Sequence, residues 1–296
     1  MTGVQTCALP ILQNTKPTLW IALGANALNL VIEVVLVFGL DRGIAGSAWG
    51  TVIAQFVAMC VYLTIVARTA HAAGAGLRPS AAGMRDTAVV GGHLIVRTAS
   101  LLVALLTATA VAARISDTAL AAHQIAFQVW IFLALSVDAL AIAGQAMVGR
   151  FLGADDPARA RAASRRMLEW GVATGVVLGL LLALLRSLIV PWFTDDRAVQ
   201  HLAEQVLLVV AAMQPVNAAV FVLDGVLIGA GDARYLALAG LVNLVVYLPL
   251  LLWVGGTLAG LWAAFALGYI GVRAVTLGVR ADRKSTRLNS SHLGIS

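Results

Sequence analysis

The sequence has 296 residues, of which 60% are hydrophobic and 11% are charged, with a mean hydropathy of +0.92 and a formal net charge of +6. Soluble domains carry about 25% charged residues, so this composition argues against a soluble enzyme or a nucleic-acid-binding domain. Apolar runs of about 20 residues recur along the chain, and each can cross a hydrocarbon core of about 30 Å as a helix. The sequence therefore predicts an all-α fold, a polytopic membrane helical bundle.

The two ends of the chain are related at the DNA level. One DNA sequence can encode MTGVQTCALPI (1–11) on one strand and DRKSTRLNSSH (282–292) on the other. This DNA looks like a short-read sequencing adapter, so we interpret residues 1–11 and 282–296 as adapter-derived and 12–281 as a gene fragment. Cys7 then falls outside the native part and Cys60 remains alone, so neither a disulfide framework nor a metal site is expected.

Polar breaks divide the remaining chain into eight predicted spans. The breaks contain turn residues, as in GLDRG (39–43), GADDPARA (153–160) and GAGDAR (229–234). Asp156 is predicted to cap a basic helix start ahead of Pro157. The predicted spans are 18–40, 44–67, 87–113, 118–149, 164–193, 199–230, 233–254 and 257–279.

The distribution of Lys and Arg in the short loops predicts the orientation of these spans. Basic residues concentrate on the cytoplasmic side of membrane proteins. We place four on the outer side, namely Arg42, Arg114, Arg186 and Arg197, and twelve on the cytoplasmic side together with both native ends of the fragment. The twelve are Lys16, Arg68, Arg78, Arg85, Arg150, Arg159, Arg161, Arg165, Arg166, Arg234, Arg273 and Arg280.

An internal repeat is predicted between the first and the seventh span. Residues 18–46 align with 232–260 at a constant offset, which places Asn29 on Asn243 and Gly46 on Gly260. Parallel repeats of this kind build transporters from two similar halves. Glu33 falls on Tyr247, so its carboxylate is specific to one half.

The first span carries an unusual polar face. Asn26, Asn29 and Glu33 follow at intervals of three and four residues and therefore share one side of a helix. An isolated carboxyl in a medium of low dielectric can hold a proton near neutral pH, which suits a proton carrier or a cation site. The alternative is a polar clamp between helices, which we favour for Asn26, whereas for Glu33 we favour ion coupling.

Further polar residues lie inside the third, fourth and sixth spans. A charge in mid-span costs about 2.5–3.5 kcal/mol on insertion scales, so it usually faces a cavity or a partner. Arg97 requires an anion, with Asp138 and Asp224 as the candidates, and a structural ion pair is as compatible with the sequence as a gating role. His123 is expected to be structural. The residues of the predicted polar cleft are Arg97, Gln124, Asp138, Gln214, Asn217 and Asp224.

Three motifs in sequence order carry a family resemblance. They are NLVIEVVLVFGLDRGIAGSAWGTVIAQ (29–55), AAHQIAFQVWIFLALSVDALAIAGQAMVGRFLGADD (121–156) and QPVNAAVFVLDGVLIGAGDARY (214–235). Together they resemble the MATE family of multidrug and toxic-compound extrusion transporters, and most of all its DinF-like branch. The resemblance implies a 6+6 architecture of two lobes. Residues 12–72 would be the last two helices of the N-lobe, 73–86 a cytoplasmic inter-lobe loop and 87–281 a complete six-helix C-lobe.

The resemblance also implies roles for individual residues. Asn29 and Glu33 fall on the asparagine and the acid that take part in ion coupling in DinF-like members. Asp224 resembles an acid of a C-lobe cation site in other branches. Arg97 lies in the span that carries the second acid of that site, which argues against a C-lobe Na⁺ site here.

The function implied is a secondary antiporter that exports small amphiphilic or cationic solutes in exchange for H⁺ or Na⁺. The expected setting is a monomer in the lipid bilayer of a bacterial inner membrane, with no enzymatic activity, cofactor or nucleic-acid partner. One alternative is a flippase of lipid-linked glycans. Such a protein is expected to carry several basic residues for phosphates, and we place only Arg97 inside the spans, which argues against this alternative. Another alternative is a membrane scaffold that does not transport.

Overall fold

The computed structural model describes residues 16–72, 81–254 and 256–293. These residues form eight helices that are long and apolar enough to span a membrane, which confirms the predicted fold class. Helices α1 to α7 are Lys16–Val34, Gly43–Ala72, Ala81–Ile115, Asp117–Gly153, Pro157–Ile189, Arg197–Gly229 and Ala233–Val254. Helix α8 joins Leu258–Ala264, a π-helical segment Phe265–Gly271 and Val272–Leu293. No strand occurs in the described ranges.

Four of these helices begin at a side chain that caps the first turn. The predicted cap at Asp156 is confirmed, since its carboxylate accepts a hydrogen bond from the Arg159 backbone N–H at 3.0 Å, directly before Pro157. The equivalent acceptors are Ser116 for α4, Asp196 for α6 and Thr257 for α8. Short polar caps of this kind fix where a helix starts.

Two helices begin several residues before the spans predicted for them. Helix α3 begins at Ala81, so residues 81–86 of the predicted inter-lobe loop are helical, because alanine, methionine and arginine favour helix there despite the polar composition. Helix α5 begins at Pro157 rather than at residue 164, because the arginine-rich segment continues the helix from its cap.

The chain divides into two compact units, residues 1–87 and 88–296. In the first unit α1 ends in a π-helical turn, Val35–Gly39, and packs on α2. The sharp connection between them uses positive φ angles at Asp41 and Gly43, which aspartate and glycine adopt more readily than other residues. This packing brings the C-terminal part of α1 next to the start of α2.

In the second unit, α5 and α6 pack closely through small residues. Gly171, Gly175 and Gly179 are buried and face α6. Pro215 removes the N–H that would bond to the carbonyl of Ala211. A Cβ at Gly179 would lie 2.5 Å from that carbonyl oxygen, so only glycine allows α5 to approach so closely.

A buried aromatic cluster joins α4, α7 and α8. Phe265, in the π-helical segment of α8, packs edge-on against Trp130, Tyr247 and Trp262 at centroid distances of 5.4–5.9 Å. His123 joins the cluster beside Trp262, and its Nε2 lies 3.1 Å from Thr109 Oγ1. His123 is thus a buried hydrogen-bonding residue, as predicted. The cluster belongs to the hydrophobic core of the second unit.

Candidate functional site

Glu33 lies at the packed end of α1 in the first unit. Its carboxylate Oε1 accepts a hydrogen bond of 2.5 Å from the Ser47 hydroxyl on α2. Gly50, one turn further along α2, lies beside the Glu33 backbone, since a Cβ at Gly50 would be at van der Waals contact, 3.4 Å, from the Glu33 nitrogen. No salt bridge to Glu33 occurs within the described part of the chain. Among the described residues, the Glu33 carboxyl therefore has one neutral hydrogen-bond donor and no charged partner.

The two asparagines of the same helix differ in their surroundings. Asn26 is exposed and donates a hydrogen bond of 2.8 Å to the Ala22 carbonyl of its own helix, so it does not clamp α1 to a neighbour among the described residues. Asn29 is half-buried, and its side-chain Oδ1 has no hydrogen-bond partner in the ranges that the structure describes. An unpaired buried oxygen one turn from Glu33 is available to a proton donor or a cation.

Asp224 is the centre of an ion network in the second unit. Its Oδ2 accepts hydrogen bonds from Arg97 Nη2 on α3 at 2.9 Å and from Arg273 Nε on α8 at 3.1 Å. Its Oδ1 accepts a third from Arg273 Nη2 at 2.6 Å. Asp224 and Arg273 are buried, whereas a quarter of the Arg97 side chain, 25%, stays exposed. Of the two predicted partners for Arg97, the structure therefore selects Asp224.

The remaining residues of the predicted polar cleft do not all interact with the Arg97–Asp224 pair. Asp138 interacts electrostatically with Arg97 and Asp224 but forms no salt bridge with a described residue. Gln214 and Asn217 are fully buried and joined by a hydrogen bond of 3.4 Å. Gln124 lies on an exposed face of α4, and no hydrogen bond within the described ranges joins it to the network. The structure thus groups Arg97, Asp224 and Asp138, and it leaves Gln124 apart.

Arg273 was placed wrongly by the sequence argument. We counted it among the cytoplasmic loop residues, but it is 4% exposed and paired with Asp224, because α8 runs through this position as a continuous membrane helix. Arg273 lies within the predicted span 257–279, and this position could have identified it as an intramembrane residue. Arg97 is consequently not the sole basic residue inside the spans, so the count that argued against a flippase does not hold.

A second ion pair lies two turns further along α8. Arg280 donates two hydrogen bonds to Asp232, at 2.8 and 3.1 Å, and its guanidinium stacks over the Tyr235 ring at 4.9 Å. The Tyr235 hydroxyl donates to the Thr276 carbonyl at 2.7 Å. Arg273 and Arg280 are seven residues apart and therefore share one side of α8. Arg273 thus joins α8 to Asp224 on α6, and Arg280 joins α8 to Asp232 in the connection between α6 and α7.

Eight helices of membrane-spanning length in the described residues, with the Glu33 carboxyl in one unit and an ion network in the other, define an integral membrane protein. A family model described as MatE matches residues 94–253, more than half of the chain. The chain therefore belongs to the MATE family.

Known relatives agree with this assignment. Protein DETOXIFICATION 44, chloroplastic, of Arabidopsis thaliana is 32% identical over 86% of this chain and 49% of its own length. The multidrug resistance protein NorM of Burkholderia vietnamiensis is 30% identical over 96% of this chain and 62% of its own. DNA damage-inducible protein F of Escherichia coli K12 is 25% identical over 88% and 58%. The chain thus spans about half to two thirds of the length of these relatives.

Solved structures show the same fold. The MATE transporter VcmN of Vibrio cholerae, in its bent form, superposes with a TM-score of 0.78 at 19% identity, covering 95% of this chain and 64% of that one. A MATE structure in the straight conformation gives a TM-score of 0.81 at 13% identity, covering 93% and 64%.

Proposed function

We propose that the whole protein containing this chain is a secondary active antiporter, not an enzyme. It exports organic cations and other small amphiphiles in exchange for H⁺ or Na⁺. Residues 12–72 supply the last two helices of an N-lobe and residues 87–281 the six helices of a C-lobe, and alternating access between the lobes carries the solute. The protein acts as a monomer in a bacterial inner membrane and needs no cofactor or nucleic acid. Membership of the MATE family supports this class.

The observation that carries the proposal is the environment of Glu33. A carboxyl inside a membrane helix costs free energy when charged, so it is retained where the charge is used. Only the Ser47 hydroxyl, at 2.5 Å, hydrogen-bonds to it within the described chain. A neutral donor leaves the second carboxylate oxygen for a proton or a cation, whereas an arginine partner would hold the group ionised. The Asn29 oxygen one turn away, which has no hydrogen-bond partner among the described residues, adds a second acceptor for the same ion.

The test is the substitution Glu33→Gln in the whole protein, reconstituted into proteoliposomes. The amide keeps the size of the side chain and can still accept from Ser47, but it can neither release a proton nor bind a cation with a charge. We expect efflux of a fluorescent organic cation driven by a pH or Na⁺ gradient to be abolished, with unchanged protein yield.

Glu169→Gln is the matched control, because Glu169 is an exposed carboxylate on α5 paired with Arg165. This control should transport at the wild-type rate. Full gradient-driven efflux by Glu33→Gln would contradict the proposal. Translocation of a fluorescent polyprenyl-phosphate glycan without cation efflux would favour the flippase alternative, for which the buried Arg273 is a further intramembrane cation.

A further inference from the structure

The ion network of the second unit holds two guanidinium groups on one carboxylate. Arg97, Asp224 and Arg273 come from three different helices, α3, α6 and α8, and their direct contacts involve two positive charges and one negative charge. Inside a membrane an uncompensated charge is costly, so a network of this kind is expected to recruit a further negative group.

Both arginines retain unused hydrogen-bond donors. Asp224 already accepts three hydrogen bonds through its two oxygens. Arg97 Nε and Arg273 Nη1 are buried, and neither has a hydrogen-bond partner among the described residues. Buried N–H groups without acceptors are rare in folded proteins and point to a missing partner. Arg97 is the partly exposed member of the network, so an anion can approach the network at the Arg97 guanidinium.

We propose that Arg97, supported by Arg273, forms a binding site for a small monovalent anion in the second unit. The ligand chemistry is a single negative charge with hydrogen-bond-accepting atoms, either an inorganic ion such as a halide or the carboxylate of a small solute. Arginine suits this role because its planar group offers several N–H donors and stays charged at all physiological pH values. This site goes beyond the proposed coupling at Glu33, which lies in the other unit.

Asp138 is the competing source of negative charge. It interacts electrostatically with Arg97 and Asp224 from α4, but it forms no salt bridge with either arginine in the described chain. If Asp138 alone completed the network, its removal would only destabilise the protein. If an exogenous anion binds, removal of Asp138 takes away a repelling charge and binding becomes tighter. The two roles therefore predict opposite outcomes for Asp138→Asn in the presence of anions.

The experiment measures thermal unfolding of the purified 296-residue chain in detergent, titrated with sodium bromide or sodium acetate. A ligand that binds the folded state raises the unfolding temperature in a concentration-dependent way. We expect a saturable rise with wild type and a loss of about tenfold or more in apparent affinity with Arg97→Gln. Arg186→Gln removes another half-buried arginine, which donates to the Ala183 carbonyl, and should leave the anion response unchanged.

The variants separate the possible outcomes. Arg97→Gln leaves Asp224 paired one to one with Arg273, and Arg97→Lys, which keeps the charge but loses the planar fork, serves if the glutamine variant does not fold. Asp138→Asn should bind bromide more tightly than wild type.

A response to bromide alone identifies an inorganic anion, and a response to acetate as well identifies carboxylates. Identical titrations for wild type and Arg97→Gln, or weaker binding by Asp138→Asn, would overturn the proposal. Since no transport is measured, neither result bears on Glu33.

Discussion

At the scale of single residues, the Asp224 side chain joins α6 to α3 and α8 in the second unit. It is 5% exposed and holds two arginines from different helices, so its loss would leave the buried Arg273 and the partly exposed Arg97 without their partner. Removing one member of a buried ion pair is far more costly than the net contribution of the pair itself, because the remaining charge has lost its water.

We therefore predict that Asp224→Asn lowers the free energy of unfolding by about 3 kcal/mol or more. Arg97→Gln should cost less, because the Asp224–Arg273 pair survives it. Glu169→Gln removes an exposed partner of Arg165 and should change stability by less than about 0.5 kcal/mol. Thermal or denaturant unfolding in detergent checks this order. Equal stability of Asp224→Asn and Glu169→Gln would show that the network does not support the fold.

The network could be predicted only in part from the sequence. Arg97 lies in the middle of an apolar span, and few acids are available to neutralise it, so Asp224 was one of two candidates. Arg273 was missed because it lies near the basic end of α8, where charge counting assigns arginines to the cytoplasm. Its contact with Asp224 joins residues 49 positions apart, and helix periodicity carries no information on such pairs.

At the scale of helices, the contact between α5 and α6 depends on the absence of side chains. A Cβ at Gly175 would lie 2.6 Å from the Gln214 carbonyl oxygen and 2.9 Å from the Pro215 Cα. Both are backbone atoms, which cannot rotate away as a side chain can. A four-residue glycine spacing is typical of a close-packed helix face, but it does not indicate which helix the face contacts, since any neighbour with small residues would satisfy the same pattern.

We predict that Gly175→Ala destabilises the protein by about 1–3 kcal/mol, as expected for an overpacked contact. Gly278→Ala is the control, because a Cβ at Gly278 meets no atom within 4 Å and alanine favours the helix. The control should be neutral or slightly stabilising in the same unfolding measurement. If both variants unfold alike, α5 and α6 do not approach as closely as described.

At the scale of the whole chain, the number of spans could be predicted from the sequence, whereas the residues at which the helices begin and end could be predicted less well. Length and apolar composition decide whether a segment crosses the bilayer, and all eight predicted spans are found. Helix ends depend on local caps such as Asp156, which allow a polar segment to continue a helix beyond the apolar run. The assignment of the two units to lobes of a larger transporter stays a prediction, as does the repeat of α1 in α7.

Orientation in the membrane is the remaining property that the charge distribution predicts for the whole chain. Exposed aromatic side chains, which favour the membrane–water interface, mark the helix ends at Phe38, Trp192 and Trp253. These ends carry few basic residues, whereas the start of α5 carries several, including Arg159. The positive-inside rule therefore places the α5–α6 connection outside and the α4–α5 connection in the cytoplasm.

This orientation is tested with single cysteines in a chain whose own Cys7 and Cys60 are replaced by alanine. Asp195→Cys, in the exposed α5–α6 connection, should react with a membrane-impermeant maleimide on intact bacterial cells. Arg159→Cys, equally exposed at the start of α5, should react only after the cells are lysed. Labelling of both in lysed cells controls for reactivity. The reverse pattern in intact cells would contradict the predicted orientation, and it would place the Asp156–Pro157 turn at the outer surface.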